Sequence, residues 1–284
     1  MAKILIAGCG YVGCVLGARL AAEGHRVWGL RRRPLERIMG LIPIEADLAI
    51  PSSLQELPSD LDFVFYMVSP SGADDAFYRG AYVDGLRTLL EALEKQGQQP
   101  SRLLFVSSTA VYAQHGGEWV DETSRTEPTH FSGQRLLEGE QLLFEGPFPG
   151  VVVRFGGIYG PRRIQVLDRA RSGRAEYASG PPRYTNRIHR DDCAGVLRHL
   201  MNLPDPARVY LGVDSEPAQE LDVLRWVSAA LGAPPPRKVS AENIASQPGR
   251  GNKRCRNDRL LESGYEFRYP TFREGYRDLI AGIG

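Results

Sequence analysis

The sequence is poor in cysteine, in long apolar runs and in net charge. Its four cysteines among 284 residues, Cys9, Cys14, Cys193 and Cys255, form no Cys-x-x-Cys pair. A disulfide framework and a metal site are therefore not expected, and a reducing, cytoplasmic setting is. No stretch approaches the roughly 20 apolar residues of a membrane span. The N-terminal run Ile4–Ala7 is followed at once by glycines, too short for a secretory signal, and reads as a first strand. The net charge is only +1, and no helix-turn-helix, zinc or RNA-binding signature accompanies it, so no nucleic-acid partner is expected. Also missing are a Gly-x-Ser-x-Gly elbow, a His-Glu-x-x-His helix and a Walker loop. Their absence sets aside serine-hydrolase, zinc-helix and P-loop chemistry.

What is present is an ordinary globular composition, 42% hydrophobic and 24% charged. The small net charge hides an asymmetry. Residues 1–150 carry 13 Lys and Arg against 19 Asp and Glu, and residues 151–284 carry 22 against 15. The excess in the second half is arginine, with Arg162, Arg163, Arg169, Arg171, Arg174, Arg183, Arg187 and Arg190 close together in sequence. Arginine forks suit carboxylate and phosphate, which suggests a small anionic or sugar-like substrate, although a solvated surface has the same composition.

Through the first half, short apolar runs alternate with helical patterns. Strands are predicted at Lys3–Ala7, Arg26–Leu30, Phe63–Val68, Arg102–Ser107 and Val151–Phe155, and helices at Val12–Glu23, Asp74–Lys95 and Gln134–Phe144. Such alternation predicts an α/β fold, a Rossmann-type doubly wound parallel sheet covered on both faces. After Pro161 helices are predicted at Gln165–Ser172, Asp192–Met201, Leu221–Leu231 and Thr271–Ile280. The segment from Pro234 to Asn252 reads as a long surface loop that orders over a ligand. Residues 1–160 are expected to bind a dinucleotide. Residues 161–284 are expected to form a smaller C-terminal substrate-binding portion, with those near 184–200 returning to the first domain.

Gly8-Cys9-Gly10-Tyr11-Val12-Gly13 follows the first strand and opens a helix. Gly8 permits the tight turn, Gly10 lets backbone approach a pyrophosphate, and Gly13 lets helix pack on strand. The helix start, with Tyr11 and Val12, offers free N–H groups and a positive dipole end. An NAD site usually carries an acid about twenty residues later, bonding the ribose 2′-OH. Here Leu30 is followed by Arg31-Arg32-Arg33, which would hold a 2′-phosphate, so NADP(H) is favoured over NAD(H). Asp47-Leu48 could reach the adenine edge, or Asp47 could cap a helix. His189, Asp191 and Asp192 read as caps and packing residues at a helix start.

Several segments in order resemble the extended short-chain dehydrogenases, the NAD-dependent epimerase/dehydratase family. They are the glycine loop, Asp47-Leu48, Phe63–Val68, Tyr82-Val83-Asp84-Gly85, Phe105–Tyr112, Arg154 through Ile158-Tyr159-Gly160-Pro161, and Ile188–Asp192. The resemblance implies that Met67, Val68, Ser69, Ser107 and Phe155 line the cofactor, and that Ser108 holds the catalytic Ser/Thr position. It also implies a possible homodimer.

The family's Tyr-x-x-x-Lys is not found. If Gly133 and Glu140 match its glycine and glutamate, Ser132 stands for the tyrosine and Leu136 for the lysine. Shifted by one, Phe131 and Arg135 do. Substitute proton donors in reach of the sequence are Tyr112, Ser132, His130 and Tyr159. Two functions remain open: an oxidoreductase or epimerase using NADP(H), or a catalytically inactive NADP(H)-responsive binding protein.

Overall fold

Ile4, Leu5, Ile6 and Ala7 are all fully buried, because the strand they form has a helical layer on each side. Ile4 and Ile6 join one apolar cluster with Leu16, Leu20 and Leu197. Leu5 and Ala7 join another with Leu86, Leu89 and Leu93. Strands buried on both faces read as continuous apolar runs, and each fully buried Leu or Ile contributes about 1.5–3 kcal/mol. The structure, a computed structural model, describes residues 1–33, 40–240 and 251–282.

Strands of the first half are β1 (Lys3–Ala7), β2 (Arg26–Arg31), β3 (Leu41–Glu45), β4 (Phe63–Tyr66) and β5 (Arg102–Ser108). Beyond them come β6 (Glu118–Val120), β7 (Gly150–Phe155), β8 (Gly157–Tyr159), β9 (Glu176–Ala178) and β10 (Tyr184–Thr185). The last are β11 (Arg187–His189), β12 (Val209–Gly212), β13 (Ala218–Gln219), β14 (Arg237–Val239) and β15 (Lys253–Cys255). Seven of them form one sheet in the order β12-β7-β5-β4-β1-β2-β3. All its neighbours are parallel, and the order reverses between β1 and β4, which is where an open α/β sheet leaves a crevice.

The helices are α1 (Gly13–Ala22), α2 (Asp75–Arg79), α3 (Gly85–Lys95), α4 (Phe131–Glu145), α5 (Gln165–Arg171), α6 (Arg190–Asn202), α7 (Glu220–Ala230), α8 (Asp258–Glu262) and α9 (Phe272–Ala281). A third apolar cluster, beyond the sheet, joins α5, α7 and α9 through Leu167, Val223, Leu224, Val227, Phe272 and Tyr276. No helix among the described residues is long and apolar enough to cross a membrane.

Four expectations need correction. The strand predicted to reach Val68 stops at Tyr66, because the chain there leaves the sheet to pass over the glycine turn: the Met67–Val68 peptide lies 2.6 Å from where a Gly8 Cβ would stand. The single helix predicted over Asp74–Lys95 is interrupted by a π-helical turn at Gly80–Asp84. Tyr66 Oη donates to the Ala81 carbonyl at 2.6 Å, and this wedge draws the carbonyl out of the regular ladder. The Pro234–Asn252 loop contains β14, paired with β9, while its residues 241–250 lie outside the described residues. The sheet also takes β12 from well past residue 160, so more of the second half returns than residues near 184–200.

Candidate functional site

At the carboxyl edge of the sheet, the glycine loop has the geometry its sequence requires. Gly8 has φ +83°, a region that favours glycine, and the neighbouring Met67–Val68 backbone leaves no room for a side chain. Gly13 packs with Ile6 Cγ2 3.1 Å from a would-be Cβ, whereas the space beside Gly10 is open, with only Gly8 O within 4 Å. Val12 at the N-cap of α1 supplies no side-chain acceptor, so the first-turn N–H groups remain available to an anion. These residues fit a dinucleotide pyrophosphate. Arg31 closes β2 and is half-buried, and Arg32 beside it is exposed. Asp47 is used locally: its Oδ1 accepts from Ala49 N at 3.0 Å, and Leu48 is buried in the core.

Ser107 and Phe155 are placed for structure. Ser107 Oγ donates to Glu140 Oε1 at 2.6 Å, and Phe155 is buried against Gly212. Met67 is buried, Val68 half-buried and Ser69 exposed on the segment that crosses the glycine turn. Ser108 caps the short turn Thr109–Val111 by accepting from Ala110 N at 3.2 Å, and its own proton stays free to donate.

The N-terminus of α4 meets this turn. A Cβ on Gly133 would lie 2.5 Å from the Ala110 carbonyl and 2.4 Å from Pro128 Cβ, so only glycine lets the helix approach so closely. His130 caps α4, its Nδ1 accepting from Ser132 N at 3.3 Å, and this starts the helix three residues before the predicted Gln134. The same Nδ1 lies 2.8 Å from Ser132 Oγ. Sequence reasoning named both residues but did not join them; the signal was a His at the N-cap with Ser two positions on. Leu136, one turn later, is buried with Val111, Tyr112 and Val120. Arg135 is tied to α2 through Asp75 at 2.7 and 2.8 Å, and Phe131 stands edge-on to Tyr78. Ser132 and Leu136 therefore face inward, and Phe131 and Arg135 face α2.

Tyr112 is fully committed. Its Oη donates to the Asp121 carbonyl and accepts from Arg154, both at 2.8 Å. Burial pushes its phenol up, away from neutral acid–base work. Tyr159 Oη is buried without a partner among the described residues. His189 caps α6 through Asp191 N, and Asp192 receives Arg268 N, Tyr269 N and Tyr265 Oη. No group of three or more His, Cys, Asp or Glu among the described residues could hold a metal.

The sequence cluster of arginines divides in space. Arg163 and Arg190 lie 4.3 and 5.3 Å from the Tyr11 ring in the glycine loop, and Arg187 turns to Thr185. Arg169, Arg171 and Arg174 are exposed on α5 and its exit.

Burial drives the His189 imidazole down to about 4, below its ordinary 6.5. The unfolded chain then takes up the proton first as the pH falls. Stability from this group is complete above about pH 6.5 and is lost towards pH 4, by about 3 kcal/mol. His189→Gln should flatten that limb of a urea-denaturation series. The variant isolates the imidazole from Asp214, whose carboxyl burial raises and which works in the opposite sense. An unchanged slope between pH 4 and 6.5 would contradict the assignment.

Comparison with known proteins finds relatives that span nearly the whole chain. A structure from Methylobacillus flagellatus, provisionally described as an NAD-dependent epimerase/dehydratase, is 36% identical with TM-score 0.81, over 99% of this chain and 98% of that one. Protein YeeZ of Escherichia coli (strain K12) is 27% identical over 95% of this chain and 97% of its own length. The human epimerase family protein SDR39U1 (isoform 2), solved with NADPH, has TM-score 0.83 at 22% identity, over 98% of this chain and 99% of that one. The family profile itself matches residues 4–190, spanning the glycine loop, Ser108, α4 and β7. The chain belongs to the NAD dependent epimerase/dehydratase family.

Proposed function

We propose that this protein is an NADP(H)-dependent oxidoreductase acting on a small carbonyl or hydroxyl compound, anionic or sugar-like, in which Ser132 and His130 replace the usual tyrosine and lysine. The observation that carries this is the 2.8 Å contact between His130 Nδ1 and Ser132 Oγ, on a helix whose first turn rests against the Ser108 turn. A serine hydroxyl alone is a poor acid at neutral pH; it can pass its proton on only if a neighbour replaces it, and an Nδ1–H of His130 donating to Oγ would do so. Bound in the crevice, the nicotinamide would supply hydride chemistry. Ser108 Oγ would donate a hydrogen bond to the substrate oxygen, Ser132 would deliver the proton, and His130 would resupply it from solvent. Leu136 supplies no charge, so the ribose is left to main-chain and polar contacts.

NADP(H) is favoured by Arg31 and Arg32, at the strand end where the 2′-phosphate of a Rossmann dinucleotide falls. The test is calorimetric titration of NADPH and NADH against the wild type and an Arg31→Ala/Arg32→Ala variant. NADPH should bind more tightly than NADH, and the variant should lose about 10- to 100-fold for NADPH alone, the worth of a charge-assisted contact. A carbonyl screen following NADPH oxidation then tests catalysis. Tight NADPH binding without turnover of any carbonyl or polyol would make the protein an NADP(H)-responsive binder instead.

A further inference from the structure

The glycine loop is gripped from the second half of the chain. Tyr11 Oη donates to the Pro161 carbonyl at 2.8 Å, across 150 residues of sequence. The Arg163 guanidinium stacks on the same ring at 4.3 Å. The turn that delivers these contacts is tightly made. Gly160 N-terminal to it has φ +143°, with Tyr11 Oη 3.0 Å and His189 Nε2 3.2 Å from a would-be Cβ. Arg162 itself sits at φ +70°, a left-handed conformation that costs a non-glycine residue about 1 kcal/mol or more. Such strain persists only where surrounding contacts hold it.

The charges at this turn are not balanced. Arg190, also near the Tyr11 ring, is paired with Asp191 at 3.0 Å. Arg162 and Arg163 are exposed, and no carboxylate among the described residues lies within salt-bridge distance of either. Arg162 and Arg31 both bear electrostatically on Cys14 at the start of α1. The Cys14 thiol, at the second position of that helix, is lowered to about 7, first by its hydrogen bond with Cys9 and then by these two arginines. Guanidiniums without a carboxylate partner, near the positive end of a helix dipole, favour the arrival of an anion.

We propose that Arg162 and Arg163 are phosphate ligands of the dinucleotide site, closing on the pyrophosphate from the second half of the chain while the first turn of α1 holds it from the other side. This rests on the dinucleotide reading above. Tyr11 is the positioning residue: its bond to Pro161 fixes the turn, and its ring aligns Arg163. The pyrophosphate is common to NADPH and NADH, whereas the 2′-phosphate is not, so the two groups of arginines are separable by experiment.

An Arg162→Ala/Arg163→Ala variant is titrated with NADPH and with NADH by calorimetry, beside the wild type. Both side chains are exposed, and an unchanged thermal midpoint shows that the fold is intact. The expected result is a loss of about 10- to 100-fold for both cofactors. Tyr11→Phe, which keeps the ring and deletes the bond to Pro161, should lose about 3- to 10-fold for both, the worth of one hydrogen bond. Unchanged affinities in the double variant, or a loss confined to NADPH, would overturn the assignment. Failure of the wild type to bind either dinucleotide would overturn the cofactor reading itself, and this inference with it.

Discussion

Arg154→Met is expected to lower the free energy of unfolding by about 3–5 kcal/mol, the usual cost of removing one partner from a buried ion pair. Arg154 lies on β7 and is 6% exposed, and Glu140 on α4 is 3% exposed. The guanidinium gives Nε and one terminal nitrogen to Glu140 at 3.0 and 2.6 Å, and the other terminal nitrogen to Tyr112 Oη at 2.8 Å. Ser107 Oγ adds a further bond to Glu140. Methionine fills much of the same volume, so the loss comes from the carboxylate left charged in the interior and from the acceptor duty Tyr112 no longer performs. Glu140→Leu combined with Arg154→Met should recover at least half of the loss, because no uncompensated charge then remains. Urea denaturation of the two variants beside the wild type measures this. A single variant within 1 kcal/mol of wild type would show that the pair contributes little. The network also matters to the site: it fixes α4 against β5, and α4 carries His130 and Ser132.

Ser132→Ala is expected to reduce kcat for NADPH-dependent carbonyl reduction by about 10²- to 10⁴-fold, the worth of a positioned general acid. NADPH affinity should be unchanged, since Ser132 makes no part of the glycine loop. The side chain is 9% exposed and small, so the fold should tolerate the change. His130→Asn gives the complementary test. Asparagine caps a helix well and preserves the start of α4, yet it cannot relay a proton. A fall in kcat with an unaltered thermal midpoint would assign His130 to proton supply. Full activity in Ser132→Ala would move the proton-donor role to Ser108 or to water.

Legibility differed from one segment to the next for physical reasons. The β1 strand, the glycine turn and α1 could be read because each requirement is local: an apolar run, a positive φ at Gly8, a helix start at Gly13. Ser108 was singled out only by the family resemblance; the structure sets it at the end of β5 with a short turn after it. The π-helical turn was not legible, because its cause is the hydroxyl of Tyr66, 15 residues from the Ala81 carbonyl it takes. Nor was β12, a short strand that is placed by pairing with β7 rather than by its own pattern. Tyr112 and Ser107 looked available in sequence and proved to be committed to partners 42 and 33 residues away.

By itself, then, the sequence determined the parallel α/β sheet, the dinucleotide turn and the absence of tyrosine and lysine on α4, since these depend on residue type at short spacing. Which side of α4 turns inward depends on packing that no short stretch of sequence records. A helix shows the sequence all its faces, and only packing of Leu136 beneath Val111, with Arg135 held by Asp75, selects one. Tertiary structure alone decided that His130 and Ser132 share a proton-sized gap, and that the arginines of the second half divide between the glycine loop and the exposed surface. Side-chain partnership is a property of distance in space, and charge clustered along a chain carries no record of which neighbours folding will supply.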